Sequence, residues 1–542
     1  MAKSARDQQL IELKDTISEL NKTVASLRDM IELLNRQLAE SNQERDNLKQ
    51  QVDYLTKKLF GRSSEKRKEP IPGQMNLFNE AEDLQDEKAA AAEEEIIKGY
   101  KRKRKPKATQ AEQFEGLPVE TVYLDLPDDQ KNCPNCGSPL KNIGSEFVRR
   151  ELKFIPAKVT VVEYYSKTYN CLTCEENEEP HIFKGKDFHP HRLHGMGSSS
   201  AIAWVMYQKY CNAVPLYRQE KDWEQYGVKI GRATLANWII RNSAECFAPM
   251  YGYFRKKLLE RRFLMADETP VQVLKEPNRR PESKSYMWIY RTGEDDSFPI
   301  IMYRYSETRA GENAKKFLDG YTGYLMCDGY SGYNKIKTAR RCSCWAHARR
   351  YLVEAIPKGK ENDISEPAVQ GITYIDKLFR LEKQIKQRHH SSDAIKQARL
   401  QKETPVLEGF WSWLDQAWAV KGSRMSKALI YIRNRKEDLM RYLEEGYCSF
   451  SNNASERSVK PFVIGRKNWL FCDTPDGAVA SEMVYTIIET AKANGVNIYH
   501  YLCYLLEQCP SKQSSEEELE SFAPWNEEVQ EEISHRAKGS KL

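Results

Sequence analysis

Two short apolar runs in this chain end in the same way. Arg262-Phe-Leu-Met-Ala-Asp267-Glu-Thr-Pro270 closes on an acid and a breaker, and Tyr324-Leu-Met-Cys-Asp328-Gly-Tyr-Ser-Gly332 repeats that grammar 61 residues later. An acid at the end of a strand emerges where open α/β sheets place their chemistry. Between the runs lie Ser285-Tyr-Met-Trp-Ile-Tyr290, Phe298-Pro-Ile-Ile-Met-Tyr-Arg-Tyr305 and a helix-like Ala314-Lys-Lys-Phe-Leu318, so the predicted order is strand, strand, strand, helix, strand. If the first and fourth strands are parallel neighbours, Asp267 and Asp328 share one end of the sheet. With no obvious basic partner the two carboxylates repel unless a divalent cation sits between them. A third acid, Glu456, lies in Ser451-Asn-Asn-Ala-Ser-Glu-Arg-Ser-Val-Lys460, where Ser451, Asn452 or Asn453 caps a helix that Pro461 is expected to kink or end. Asp, Asp and Glu from two strands and a helix supply the hard oxygens of a two-metal phosphoryl-transfer site, which holds Mg²⁺ ions about 3.5–4 Å apart. Taken singly, each acid is more often a solvated surface charge, so the elements around them carry the case.

The chain has 542 residues, enough for several domains. Its 84 Lys+Arg stand against 78 Asp+Glu, a net charge of only +6, so any surface for nucleic acid is local. With 40% hydrophobic and 30% charged residues, and no apolar run near the ~18 residues of a membrane span, membrane roles are excluded. The polar start Met-Ala-Lys-Ser-Ala-Arg-Asp lacks a secretory apolar region, which predicts an intracellular protein. Thirteen cysteines in a reducing compartment then argue for metal ligands and buried thiols over a disulfide framework.

Residues 1–60 carry a heptad repeat, with Leu10, Ile17, Val24, Ile31, Leu38, Val52 and Leu59 at one position and Leu13, Leu20, Leu27, Leu34, Leu48 and Leu55 at the other. This pattern predicts a parallel coiled-coil homodimer, the polar layer at Ser41 and Arg45 fixing register; the alternative is one long helix packed on its own protein. Residues 61–112 read as a charged linker. An acidic run precedes Lys98-Gly-Tyr-Lys101-Arg102-Lys103-Arg104-Lys-Pro-Lys107, an arm suited to phosphates or a solvated tail balanced by its acidic neighbour. A zinc-binding domain is predicted over 113–194, because Cys133-Pro-Asn-Cys136 and Cys171-Leu-Thr-Cys174 supply the four thiolates of a closed, structural Zn²⁺ site. His181, His189, His191 and His194 follow it.

Within 195–260, Val214 to Ile239 read as helix, Gly-containing turn, helix. As a helix-turn-helix its second helix turns Arg232, Thr234 and Asn237 toward a major groove, with Leu235, Trp238 and Ile239 inward; the same grammar also serves plain helix packing. The 128-residue step from Asp328 to Glu456 is too long for one loop and is mostly helical in pattern, so 349–448 read as a helical insertion into a core made of 261–348 and 449–500. Cys342, Cys344 and His347 offer three donors for a second zinc, one short of a closed site. In Gly465-Arg466-Lys467-Asn468, Arg466 and Lys467 suit phosphate and Asn468 a hydrogen bond, or all three form a solvated basic face. Residues 501–542 read as a helix and a loosely ordered acidic tail.

Lys58-Leu-Phe-Gly-Arg-Ser-Ser-Glu-Lys66 after the zipper, the CPNCG motif, Ala266-Asp-Glu-Thr-Pro270, Asp328-Gly-Tyr-Ser-Gly-Tyr-Asn334, Cys344-Trp-Ala-His-Ala-Arg-Arg350, Asn452-Asn-Ala-Ser-Glu-Arg457 and Gly465-Arg-Lys-Asn-Trp-Leu-Phe471, in that order, resemble the transposase of the insertion sequence 66 family. The resemblance covers nearly the whole chain. It implies a multidomain α/β plus α protein with a ribonuclease-H-like core and a DDE triad of Asp267, Asp328 and Glu456 on Mg²⁺. It also implies that Cys344 and His347 form the CxxH element beside the insertion. The implied activity is cleavage at the ends of a DNA element and strand transfer into target DNA, at the bacterial nucleoid in the cytoplasm, with small accessory proteins as further partners. Two other readings remain: a DNA-binding regulator without catalysis, and a metal-dependent nuclease that cuts without joining.

Overall fold

The computed structural model describes residues 159–163, 165, 167–170, 182–184, 196–293 and 298–539. The heptad repeat, the basic arm with Lys101 to Arg104, and Cys133, Cys136, Cys171 and Cys174 lie outside the described residues. Two three-residue strands, β1 (Thr168–Asn170) and β2 (Ile182–Lys184), pair antiparallel on either side of the second cysteine pair.

Helices α1 (Ser199–Tyr210), α2 (Leu216–Gln225) and α3 (Arg232–Asn242) follow. Ser198 caps α1 by accepting from the Ala201 N–H. Between α2 and α3 the chain turns through Gly227 at φ 81°, a conformation that favours glycine. Leu235, Trp238 and Ile239 are buried as expected, while Arg232 and Asn237 are exposed and Thr234 is half-buried. A π-helical turn, Ser243–Phe247, leads into α4 (Ala248–Leu259).

The central sheet comprises β3 (Phe263–Gln272), β4 (Lys284–Thr292), β5 (Ile301–Ser306), then, after α5 (Gly311–Phe317), β6 (Tyr324–Cys327) and β7 (Arg340–Ser343). Its order is β5-β4-β3-β6-β7, with β3, β6 and β7 parallel and β4 antiparallel to both β3 and β5. The sequence reading missed β7, whose Arg-Arg-Cys-Ser has no alternating apolar pattern and becomes a strand only by pairing with β6.

Both faces of the sheet are covered, as the side-chain period of two requires. Leu264 and Ala266 of β3 and Leu325 and Cys327 of β6 join one core with α1, α3 and α4. Phe263, Met265, Tyr324 and Met326 point the other way, into a core built with the insertion. The insertion is helical: α6 (Trp345–Ala355), α7 (Pro367–Arg388), α8 (Ser392–Lys402), α9 (Thr404–Gln416), α10 (Arg424–Arg433) and α11 (Lys436–Met440). The chain then returns as α12 (Asn453–Trp469), α13 (Pro475–Ala493), α14 (Ile498–Gln508), α15 (Glu516–Ser521) and α16 (Glu527–Gly539).

Three expectations are corrected here. Helix α12 does not end at Pro461 but runs on to Trp469, with Phe462 packed edge-on against Tyr485 at 5.3 Å. The acidic C-terminal stretch is not loosely ordered: Trp525 stacks on Phe298 at 4.5 Å, and Ala523, Val529 and Ile533 are buried. Finally, Cys246 of the π-helical turn and Cys509 after α14 form a disulfide, where only thiols and metal ligands were expected.

Helix α13 closes the edge of the sheet. The N–H groups of Ile301, Tyr303 and Tyr305 donate to Thr490 Oγ1 (3.1 Å), Thr486 Oγ1 (3.0 Å) and Glu482 Oε2 (2.6 Å), so every fourth helix residue answers every second strand residue. Burial raises the Glu482 carboxyl to about 7, against the pull of Arg304. The folded protein holds this proton more tightly than the unfolded chain. Its contribution to stability is therefore full below about pH 4 and is lost as the pH rises through 7. Glu482→Gln, which keeps the acceptor, is expected to flatten the fall in melting temperature between pH 5 and pH 8; an unchanged slope would count against this assignment.

Candidate active site

The ladder between β3 and β6 pairs Phe263 with Tyr324, Leu264 with Leu325 and Met265 with Met326, a constant offset that carries Asp267 to Asp328 just beyond its last rung. Two parallel strands in that register deliver both acids to the same end of the sheet. Asp267 Oδ1 accepts from the N–H of Glu268, and Asp328 Oδ1 from that of Tyr330, both at 2.8 Å. Glu456 arrives from the first turns of α12. Burial raises the Asp267 carboxyl well above the carboxylate range, and the charges of Glu268, Glu456 and Asp328 raise it further. Acids from two strands and a helix thus meet in one field.

Glu268, which sequence reading passed over, is the fourth acid. Its side chain is buried, accepts from Tyr333 Oη at 2.6 Å and pairs with Arg309 Nη2 at 2.5 Å. Arg309 also lies 4.0 Å from Asp328 and over the Tyr330 ring at 4.0 Å. The sequence expectation of no basic partner is therefore corrected: Arg309 comes from the loop after β5, far from either acid in sequence.

The position of α12 is set by Asn452. It is fully buried and stands at the N-cap, but its side chain makes no cap bond. Its Nδ2 instead donates to the carbonyl of Ala266 at 3.2 Å, one residue before Asp267, and its own N–H donates to Cys344 Sγ at 3.1 Å. From β4, Arg291 Nη1 donates to the Ala454 carbonyl at 2.9 Å. Cys344 is thus a buried thiol, raised to about 12 chiefly by desolvation, and holds the start of α12 in place. Three residues on, His347 Nε2 is 3.7 Å from Glu456 Oε1, with Arg350 at 3.6 Å. Burial, aided by Arg350, lowers His347 to about 4, so the imidazole is neutral. The CxxH pair and α12 are one packing unit. The insertion reaches the site too, since Arg435 Nη2 donates to the Gly329 carbonyl at 2.6 Å, next to Asp328.

The donor set suits a hard cation: oxygen ligands with more negative charge than Arg309 answers. Among the described residues no three His, Cys, Asp or Glu side chains already close on one point. Burial, and then the neighbouring negative charge, raises Asp267, and that charge is what a divalent cation would relieve.

Residues 194–480 match the family described as "Transposase IS66 family", a span that includes Asp267, Asp328 and Glu456. The chain belongs to the IS66 transposase family. Residues 130–175, with all four zinc-motif cysteines, match the zinc-finger binding domain of transposase IS66, which supports a structural zinc. Residues 47–122 match "Transposase C of IS166 homeodomain" and residues 486–525 the IS66 C-terminal element. The chain is similar to two proteins of Sinorhizobium fredii (strain NBRC 101917 / NGR234). Uncharacterized protein y4jD is 26% identical over 89% of this chain and 94% of its own length. Uncharacterized protein y4qI is 29% identical over 61% of this chain and 63% of its own length.

Within this IS66 family chain, the residues expected on DNA divide. Arg466 Nη1 donates to the Pro270 carbonyl and, at 3.3 Å, to Thr269 Oγ1, so it braces β3. Asn468 Nδ2 donates to the Ile464 carbonyl at 3.1 Å, within its own helix. Lys467 is exposed, as are Arg232 and Asn237 on α3. Among the described residues no helix is long and apolar enough to cross a membrane.

Proposed function

We propose that this chain is a DDE-type DNA transposase that binds the ends of its element, cleaves them and joins them to target DNA. The observation that carries the reading is the parallel β3–β6 register, which brings Asp267 and Asp328 to one end of the sheet, where Glu456 of α12 also bears on Asp267. The sheet order, with three antiparallel-linked strands and two further parallel ones, supports a ribonuclease-H-like core. Asp267, Asp328 and Glu456 would hold Mg²⁺, which when bound neutralises charge at a phosphodiester and assists in-line attack by water and then by a 3′-hydroxyl.

The protein's own part is to position. Register sets Asp267 against Asp328, Arg309 and Tyr333 lock Glu268 behind them, and Asn452 ties α12 to both β3 and Cys344. Arg350 presents a cation beside Glu456, at the edge where a phosphate would lie. Helix α3 with Arg232, Thr234 and Asn237, the zinc-binding domain and the basic arm would grip DNA, and the heptad repeat would pair two copies so that two ends are held together. Small accessory proteins are further partners under this reading.

Asn452→Ala is expected to slow cleavage by roughly 10–100-fold through misplacement of Glu456, with DNA affinity unchanged. A single-turnover rate beside a binding isotherm measures both. The function as a whole is tested with labelled duplexes from the DNA flanking the gene. Mg²⁺-dependent nicking at a defined end followed by joined product supports a transposase; nicking without joining supports a nuclease, and end-specific binding without cleavage in any metal a regulator.

A further inference from the structure

The exposed face of α12 continues beyond the acids. From half-buried Glu456 one face of the helix carries Lys460, Ile464 and Lys467, and Leu470 and Phe471 follow where the helix ends at Trp469. Ile464 is 46% exposed, Leu470 63% and Phe471 42%. Leu470 has φ 66° and ψ −52°, and the Phe471 N–H donates to the Trp469 carbonyl at 2.8 Å, so Leu470 forms the apex of a γ-turn of the rare, strained hand. This turn is held on both sides. Trp469 packs edge-on against Phe462 at 5.5 Å, and the Cys472 N–H donates to the Gln272 carbonyl at 2.9 Å, at the end of β3. A bound tip that presents two large apolar side chains to water at a conformational cost calls for a partner.

We propose that Leu470 and Phe471 form a wedge that takes an unpaired base of DNA lying along α12. The inference rests on the proposed function and adds what the tip recognises. Lysines on the stripe suit a phosphate backbone, and Asp473, the next acid along the chain, pairs with Lys275 at 2.7 Å. Lys209 adds a cation 6.0 Å from the Trp469 ring. Leu470 and Phe471, side by side, supply the one or two apolar side chains that a base needs to stack upon. Glu456 and Leu470 are 14 residues apart, about 21 Å along a helix, or about six base steps. The wedge therefore engages DNA about six steps from the phosphate at the acids.

The test uses the full chain in Ca²⁺ and duplexes from the DNA flanking its gene, either fully paired or with two unpaired bases at successive positions, one of them 2-aminopurine. Wild type is expected to prefer the forked duplex and to quench the probe most when it sits about six steps from the cleaved end. Leu470→Gly with Phe471→Ala, in which glycine accepts the positive φ, should lose that preference roughly tenfold while binding paired duplex as before. Phe471→Trp should keep it. Fork preference and quenching retained in the double variant, or quenching with no positional maximum, would overturn the wedge and leave the proposed function standing. Failure of wild type to bind any of these duplexes would remove both.

Discussion

Asp267→Asn and Asp328→Asn are each expected to reduce strand cleavage by about a thousandfold or more and to leave DNA binding unchanged. Each substitution preserves shape but removes one hard anionic donor from a site that works by electrostatic stabilisation, where single groups are worth about two to three powers of ten. The same change has an opposite effect on stability. Burial and three neighbouring acids hold the Asp267 carboxyl far above its ordinary range, so an uncharged amide relieves repulsion in the metal-free protein. The melting temperature of Asp267→Asn in chelator should therefore equal or exceed that of wild type. A variant that unfolds would show instead that the carboxylate has a structural role.

Trp345→Ala carries the largest expected loss of stability, about 3–5 kcal/mol, because a fully buried indole leaves a cavity that its neighbours cannot fill. Trp345 stacks on Phe450 with centroids 5.7 Å apart, meets Phe410 edge-on at 5.4 Å and donates from Nε1 to the Leu439 carbonyl at 2.9 Å. It therefore joins β7, the insertion and the segment that leads into α12. Its neighbour Cys344 holds the Asn452 N–H. The expected signature is a lower denaturant midpoint together with a cleavage rate that falls even where the variant remains folded. A loss of stability below about 1 kcal/mol would mean that the insertion is not packed through this residue.

The acids were legible in sequence because their flanks repeat: an apolar run, an acid, then a breaker, at an offset that the β3–β6 register preserves. Leu235, Trp238 and Ile239 were legible because a helical face has a fixed period. The missed features depend on distant pairing. Strand β7 has no pattern of its own, and Arg309 meets Glu268 only once α5 and its preceding loop fold over the sheet. Asn452 reads as a cap, yet its amide bonds to Ala266, a partner 186 residues away. Glu268 stands beside a stronger candidate and looks like a surface charge until burial is known. Local chemistry gave the candidates, and long-range geometry decided which of them lie together.

Whether Asp328 ligates a metal is most directly measured by replacing it with cysteine and following cleavage in Mg²⁺ and in Mn²⁺. A thiolate suits the softer Mn²⁺ better than Mg²⁺. The expected result is that Asp328→Cys is inactive in Mg²⁺ and regains cleavage in Mn²⁺, while wild type is active in both. Equal activity of Asp328→Cys in the two metals, near the wild-type level, would contradict a metal site at these carboxylates.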